Sequence, residues 1–197
     1  MVSLHSLLSF SGLASAAAAV LNLAGWAQYL RAQTDGLSRS SPVNWLVFLM
    51  LAICAWSIQS RVSTPMQALL YGTSTLLCLA VFLRSLRNPW AISSSDAVLL
   101  GLSLALLLAL WREPRWAVAI MATYYLGNYA SFAHKIVRDA TEESPAAWGI
   151  WVAASACLLL AQPRRDPLAW TLPGVNFACT LAVLAAITWS RRVVRPA

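Results

Sequence analysis

Seven stretches of the chain run almost without charge, and the polar and charged residues gather between them. Reading between the charges places these apolar runs at about Leu7 to Leu30, Pro42 to Gln59, Pro65 to Leu83, Ala97 to Trp111, Trp116 to Ala133, Pro145 to Ala161 and Leu168 to Trp189. Each comes near the roughly 20 residues that carry an α-helix across a hydrocarbon core about 30 Å thick. The runs lack the two-residue alternation of a lumen-facing strand, so the pattern predicts helices and not a transmembrane β-barrel. The expected fold is an all-α membrane protein with seven transmembrane helices. The first run contains "LASAAAAV", small residues of the kind that precede a leader cleavage site, but no Lys or Arg comes before Arg31. A retained span is therefore expected there.

The runs also repeat. Ser41 to Cys54 reads SPVNWLVFLMLAIC and Ser144 to Cys157 reads SPAAWGIWVAASAC, so Ser, Pro, Trp and Cys recur 103 residues apart. The same shift lays the first run on the fifth, the second on the sixth and the third on the seventh, and leaves the fourth over. The connection RAQTDGLSRSSP then faces HKIVRDATEESP, each ending in Ser-Pro before the next helix. Proline opens a helix without penalty there, because its missing N–H would have had no partner. An odd number of spans separates the copies, so both enter the membrane from the same side. The expected organisation is two parallel three-helix bundles, 1–90 and 114–197, joined by a linker transmembrane helix within 91–113. The linker run AVLLGLSLALLLALW follows a capping SSSD, and its one polar residue is Ser103. It reads as a lipid-facing return helix, apolar on every face.

Composition agrees with a bilayer as solvent. Hydrophobic residues make up 59% and charged residues 11% of the chain, with a mean hydropathy of +0.65. Basic residues in the connections divide nine to five in favour of the side that holds Arg191 and Arg192, which predicts an outside N-terminus and a cytoplasmic C-terminus. Basic residues flanking helix ends at an anionic leaflet account for the net charge of +7, and nucleic acid is not an expected partner. Thirteen arginines against one lysine hint at a GC-rich genome and so at a bacterial cytoplasmic membrane. Cys54, Cys78, Cys157 and Cys179 lie inside the runs with no CxxC spacing, and read as small buried residues; no metal or cofactor is expected.

The layout, the outside N-terminus and the short polar connections ending in Ser before the second helix of each triplet resemble the SWEET and PQ-loop (MtN3-like) superfamily of seven-helix transporters. QTDGLS at Gln33 to Ser38 is close to the family's loop consensus, and RDATEES at Arg138 to Ser144 is a looser match. Ala27-Gln28 and Ala130-Ser131 stand nearest the family's Pro-Gln pair. The resemblance implies transport of a small polar solute, most often a sugar, by alternating access through a cavity near the midplane between the repeats. It further implies a polar side chain on the third helix of each triplet, here Thr73 and Asn176, with Trp56 on the preceding helix as a stacking ring. At the position equivalent to Trp56 stands Leu159.

A second polar set lies on the first helix of each triplet. Ser15, Asn22 and Tyr29 follow one another at heptad spacing, and Tyr124, Asn128 and Ser131 share a face. Asn22, Tyr124 and Asn128 are therefore expected to line the same cavity, although such residues also serve as hydrogen-bonded contacts between helices. The seven acidic residues fall near the ends of the runs or between them, so no carboxylate relay crosses the membrane, and uncoupled facilitation is expected. A retinal protein is excluded, because Lys135, the one lysine, lies at a run's edge. The cluster His134, Asp139, Glu142 and Glu143 matches no metal spacing and reads as a solvated loop able to dock a partner. No nucleophile with a base in reach suggests an enzyme. The expected function is an uncoupled facilitator whose partners are the lipid bilayer and a small polar solute, with homo-oligomerisation left open. The alternative is a non-transporting membrane receptor or assembly protein with the same fold.

Overall fold

The computed structural model describes residues 9–36, 41–62, 65–89, 92, 94–109, 114–138, 143–162 and 167–194, so Asp139 and Glu142 of the acidic loop lie outside the described residues. The described residues form seven helices: α1 (Phe10–Thr34), α2 (Pro42–Val62), α3 (Pro65–Ser85), α4 (Ser94–Ala109), α5 (Pro114–Arg138), α6 (Pro145–Leu160) and α7 (Pro167–Val194). Five of them open on proline, where the missing N–H has no helical partner to lose. Serines cap two starts: the Gly12 N–H donates to Ser9 Oγ at 3.1 Å and the Ala147 N–H to Ser144 Oγ at 3.4 Å. At the end of α1 the Asp35 N–H bonds to the Arg31 carbonyl at 2.9 Å. Gly36 follows at φ +70°, a left-handed position that glycine occupies without steric penalty.

Four helices, α1, α2, α3 and α7, are long and apolar enough to cross a membrane. Helices α4 and α6 are apolar but have sixteen residues each, or about 24 Å at the helical rise. Much of the outer surface is greasy: Val20 is 67% exposed, Leu76 66% and Trp189 65%. A surface of this kind suits lipid and not water.

Helix α1 lies along α6, α2 along α3, and α7 along both α5 and α6; α3 also touches α1, and α4 bridges α2 and α5. The inner stripe of α1 runs through Ser15, Ala18, Gly25, Tyr29 and Ala32 at heptad-like spacing. Its small residues let the backbone of α6 come close, which is how helices gain dispersion energy where lipid supplies no hydrophobic drive. The approach is tightest at Gly25, where an added Cβ would stand 2.5 Å from Nε1 of Trp151. Gly25→Ala should therefore destabilise the protein by about 1–3 kcal/mol, the usual cost of overpacking. Thermal unfolding in detergent would register this as a lower midpoint, and adding Trp151→Leu should recover most of it. An unchanged midpoint would mean that the α1–α6 contact is looser than described.

Helix α4 differs from the all-round apolar linker that its sequence predicts. Its outer face is greasy, with Val98, Leu102 and Leu104 exposed, but Asp96, Leu99, Ser103 and Leu106 form one buried stripe. The hydroxyls of Ser103 and Tyr124 are hydrogen-bonded to each other, and both reach the Leu99 carbonyl. Asp96 accepts from Lys135 Nζ at 2.6 Å, and the same ammonium donates to Asn44 Oδ1 at 2.8 Å. These bonds tie α4 to α5 and α2 at one end.

Candidate functional site

A cavity of about 140 Å³ lies among α1, α2, α3, α5, α6 and α7. At roughly 10–15 Å³ per water it has room for on the order of ten water-sized groups, the scale of a monosaccharide or an amino acid. None of the lining comes from α4.

Aromatic rings gather along part of the cavity wall. Trp26, Trp45, Phe48, Tyr129, Trp148 and Trp151 all line the cavity, and they touch in a closed circuit. Going round it, the ring centroids are 5.7 Å apart for Trp26–Trp45, 5.4 Å for Trp45–Phe48 and 5.1 Å for Phe48–Tyr129. The circuit closes at 6.2 Å for Tyr129–Trp148, 5.1 Å for Trp148–Trp151 and 4.9 Å for Trp151–Trp26. Several of these contacts are edge-to-face, the arrangement favoured by the ring quadrupoles. Tyr29 packs on Trp45 and Trp151, and Phe132 on Phe48 and Trp148.

Hydrogen bonds reinforce the aromatic layer. The Tyr29 hydroxyl donates to Glu143 Oε1 at 3.0 Å and accepts from Trp45 Nε1 at 3.2 Å, while Trp148 Nε1 donates to Glu143 Oε2 at 2.9 Å. Arg191 donates to the backbone carbonyl of Glu143 at 2.9 Å. Glu143 is 1% exposed, so the loop carboxylate that the sequence presents as solvated is a buried acceptor.

Polar groups line the cavity wall in two places. Asn22 Nδ2 donates to Ser74 Oγ at 2.7 Å, joining α1 to α3. Asn176 Nδ2 donates to Ser155 Oγ at 2.9 Å, joining α7 to α6, and Asn176 Oδ1 accepts from the Tyr129 hydroxyl at 3.4 Å. The Nε1 atoms of Trp26 and Trp151 are buried without a hydrogen-bond partner. Aromatic faces with a few amides and hydroxyls between them suit a neutral polar ring. An amide can both donate to and accept from such a solute.

Of the six residues that the sequence nominates, Asn22 and Asn176 line the cavity. Trp56 does not: it is 45% exposed and lies against Gly72. Thr73 bonds to its own helix through the Leu70 carbonyl, and its neighbour Ser74 takes the lining position. Tyr124 faces α4, and Asn128 is buried outside the lining with its Nδ2 unpartnered. The aromatic circuit was legible only as two first-turn tryptophans, Trp45 and Trp148, and Glu143 gave no signal of its burial. Comparison with known proteins adds no family to this picture: no family model matches the chain, and neither the curated proteins nor the solved structures contain a significant match.

Proposed function

We propose that the protein is an uncoupled membrane facilitator that passes a small polar solute, with a sugar favoured, by alternating access between two like-oriented helix triplets. The triplets are α1–α3 and α5–α7, and α4 returns the chain between them. The observation that carries this reading is the aromatic circuit. Shifted by 103 residues, Trp26, Trp45 and Phe48 fall on Tyr129, Trp148 and Trp151, and Tyr29 falls on Phe132. Every ring contact in one set then has its counterpart in the other, with similar centroid distances of 5.0 Å for Tyr29–Trp45 and 5.6 Å for Phe132–Trp148, for example. A circuit that maps onto itself in this way supports a two-fold axis through the cavity, along which a solute would move.

The remaining lining supports the same duplication. Leu51, Ala52 and Ala55 of α2 correspond to Ala154, Ser155 and Leu158 of α6, and Asn22 corresponds to Tyr125. On the third helices the correspondence drops to 102 residues, pairing Ser74 with Asn176 and Cys78 with Thr180. The helix starts drop with it, from Pro42 and Pro145 to Pro65 and Pro167. Within each triplet the third helix contacts the other two. That order, and the polar connections that carry the resemblance to the SWEET and PQ-loop superfamily, favour a carrier over a receptor.

The excess of basic residues on one side supports a cytoplasmic C-terminus, which puts the aromatic circuit and Glu143 on the cytoplasmic side of the cavity. The described conformation is then closed towards the cytoplasm. The test is uptake of labelled solutes from a library of sugars, amino acids and nucleosides into proteoliposomes. One class of solute should accumulate to equilibrium without a driving gradient, and Asn176→Ala should slow it at least tenfold. Failure of every class to enter faster than into empty vesicles would favour the non-transporting alternative.

A further inference from the structure

We propose that Glu143 is a positioning residue for the transport cycle: it holds the aromatic circuit shut at the cytoplasmic end through Tyr29, and must release Tyr29 for the cavity to open there. The inference rests on the transport reading above and names the contact on which its moving step turns.

The polar cohesion of the circuit converges on this one carboxylate. The equivalent indoles Trp45 and Trp148 both lead to it, Trp148 directly at 2.9 Å and Trp45 by way of the Tyr29 hydroxyl. Bonds from Trp148 and Arg191 hold Glu143 on the α6 and α7 side. The bond from Tyr29 comes from α1 and crosses between the triplets. Parting α1 from α6 at this end breaks the crossing bond and leaves the others intact.

The duplication itself separates this contact from simple packing. Phe132 occupies the place equivalent to Tyr29 and makes the equivalent ring contacts with Phe48 and Trp148 without a hydroxyl. The sequence position equivalent to Glu143 is Ser40. The circuit therefore packs on its second side without a bond at this place, where α5 meets α2 through Lys135 Nζ and Asn44 Oδ1 at 2.8 Å instead, and the Tyr29–Glu143 bond belongs to the α1–α6 seam alone. A buried hydrogen bond of this kind is costly to leave unmade, and once the seam opens, water can take its place. A bond of this kind can set the ratio of closed to open forms without deciding the fold.

Cys78 lines the cavity at 2% exposure and serves as the reporter. In a variant with Cys54, Cys157 and Cys179 changed to alanine, reconstituted in oriented proteoliposomes, a membrane-impermeant maleimide is applied to one face at a time. Tyr29→Phe, which removes one hydroxyl, and Glu143→Gln should each raise the labelling rate from the cytoplasmic face about tenfold, a shift of about 1.4 kcal/mol, and leave the rate from the other face unchanged or lower. The double variant should gain little beyond the larger single effect, because Tyr29→Phe removes the donor and Glu143→Gln leaves a single acceptor oxygen for two donors, Tyr29 and Trp148, so both changes act on the same contact. The inference is overturned if the ratio of rates from the two faces stays at the wild-type value, or if both rates rise together as in a loosened protein. Solute uptake in the same vesicles reports on the transport reading alone. Uptake with an unchanged labelling ratio removes the latch and leaves transport standing, whereas labelling from a single face in every variant, with no uptake of any solute, removes both.

Discussion

Ala52→Phe is expected to abolish the proposed solute uptake, to the level of empty vesicles, and to leave the protein as stable as before or more so. Ala52 lines the cavity from α2, and its backbone carbonyl accepts from Thr75 Oγ1 at 3.1 Å, a bond that the substitution leaves in place. A phenyl ring at this position projects into about 140 Å³ of space that nothing else fills. Filling such space commonly gains about 0.5–2 kcal/mol, and each kcal/mol moves the midpoint of a chain this size by about 2–4 °C. Loss of transport with a raised midpoint separates a blocked path from a damaged fold. The measurement pairs initial tracer uptake with thermal unfolding of the same preparation. Wild-type uptake by Ala52→Phe would mean that the solute does not use this cavity.

Lys135→Ala should have the largest effect on stability. The ammonium stands 2.6 Å from Asp96 Oδ1, and the Asp96 side chain is 3% exposed. Removing one member of a fully buried ion pair costs about 3–5 kcal/mol, and this pair should approach the lower end of that range, because the Lys135 side chain is 29% exposed while the carboxylate it leaves behind is buried. Asp96→Asn should cost less, since an amide keeps an acceptor for the ammonium and carries no charge to desolvate. The double variant should cost less than the two single changes added together, which is the mark of a direct interaction. Chemical denaturation in detergent would measure all three. A Lys135→Ala variant within about 1 kcal/mol of wild type would show that the pair holds α4 in place only loosely.

How far the sequence revealed all this follows from what each feature depends on. The helices were legible because charges bracket the apolar runs and proline opens five of the seven. The proposed repeat rests in the sequence on Ser-Pro-Trp, since those residues recur where α2 and α6 begin. The site was only half legible. Asn22 and Asn176 fall on the cavity wall because polar residues inside apolar runs tend to face other helices. Thr73 was chosen over Ser74 because the 103-residue shift was carried through the third helix, where the correspondence is 102; one residue turns a helix by about 100°, enough to face away from the cavity. Trp56 misled for the same geometric reason. It lies one residue past Ala55, which lines the cavity, and so turns towards Gly72 and the outer surface. Glu143 was hidden by distance: its partner Tyr29 is 114 residues away in the chain, and nothing local distinguishes it from a solvated acid. The aromatic circuit draws on four helices, so no single stretch of sequence announces it.

Spin labels at the two ends of the α1–α6 seam would test alternating access most directly. One pair replaces the exposed Arg31 and Ala146 near Glu143, and the other replaces the exposed Leu13 and Leu160 at the opposite end. Pulsed distance measurements in lipid nanodiscs should find two distances at each end, the wider at one end accompanying the narrower at the other, with their proportions shifted by added solute. A single distance at both ends, unmoved by every solute that enters the vesicles, would contradict the account.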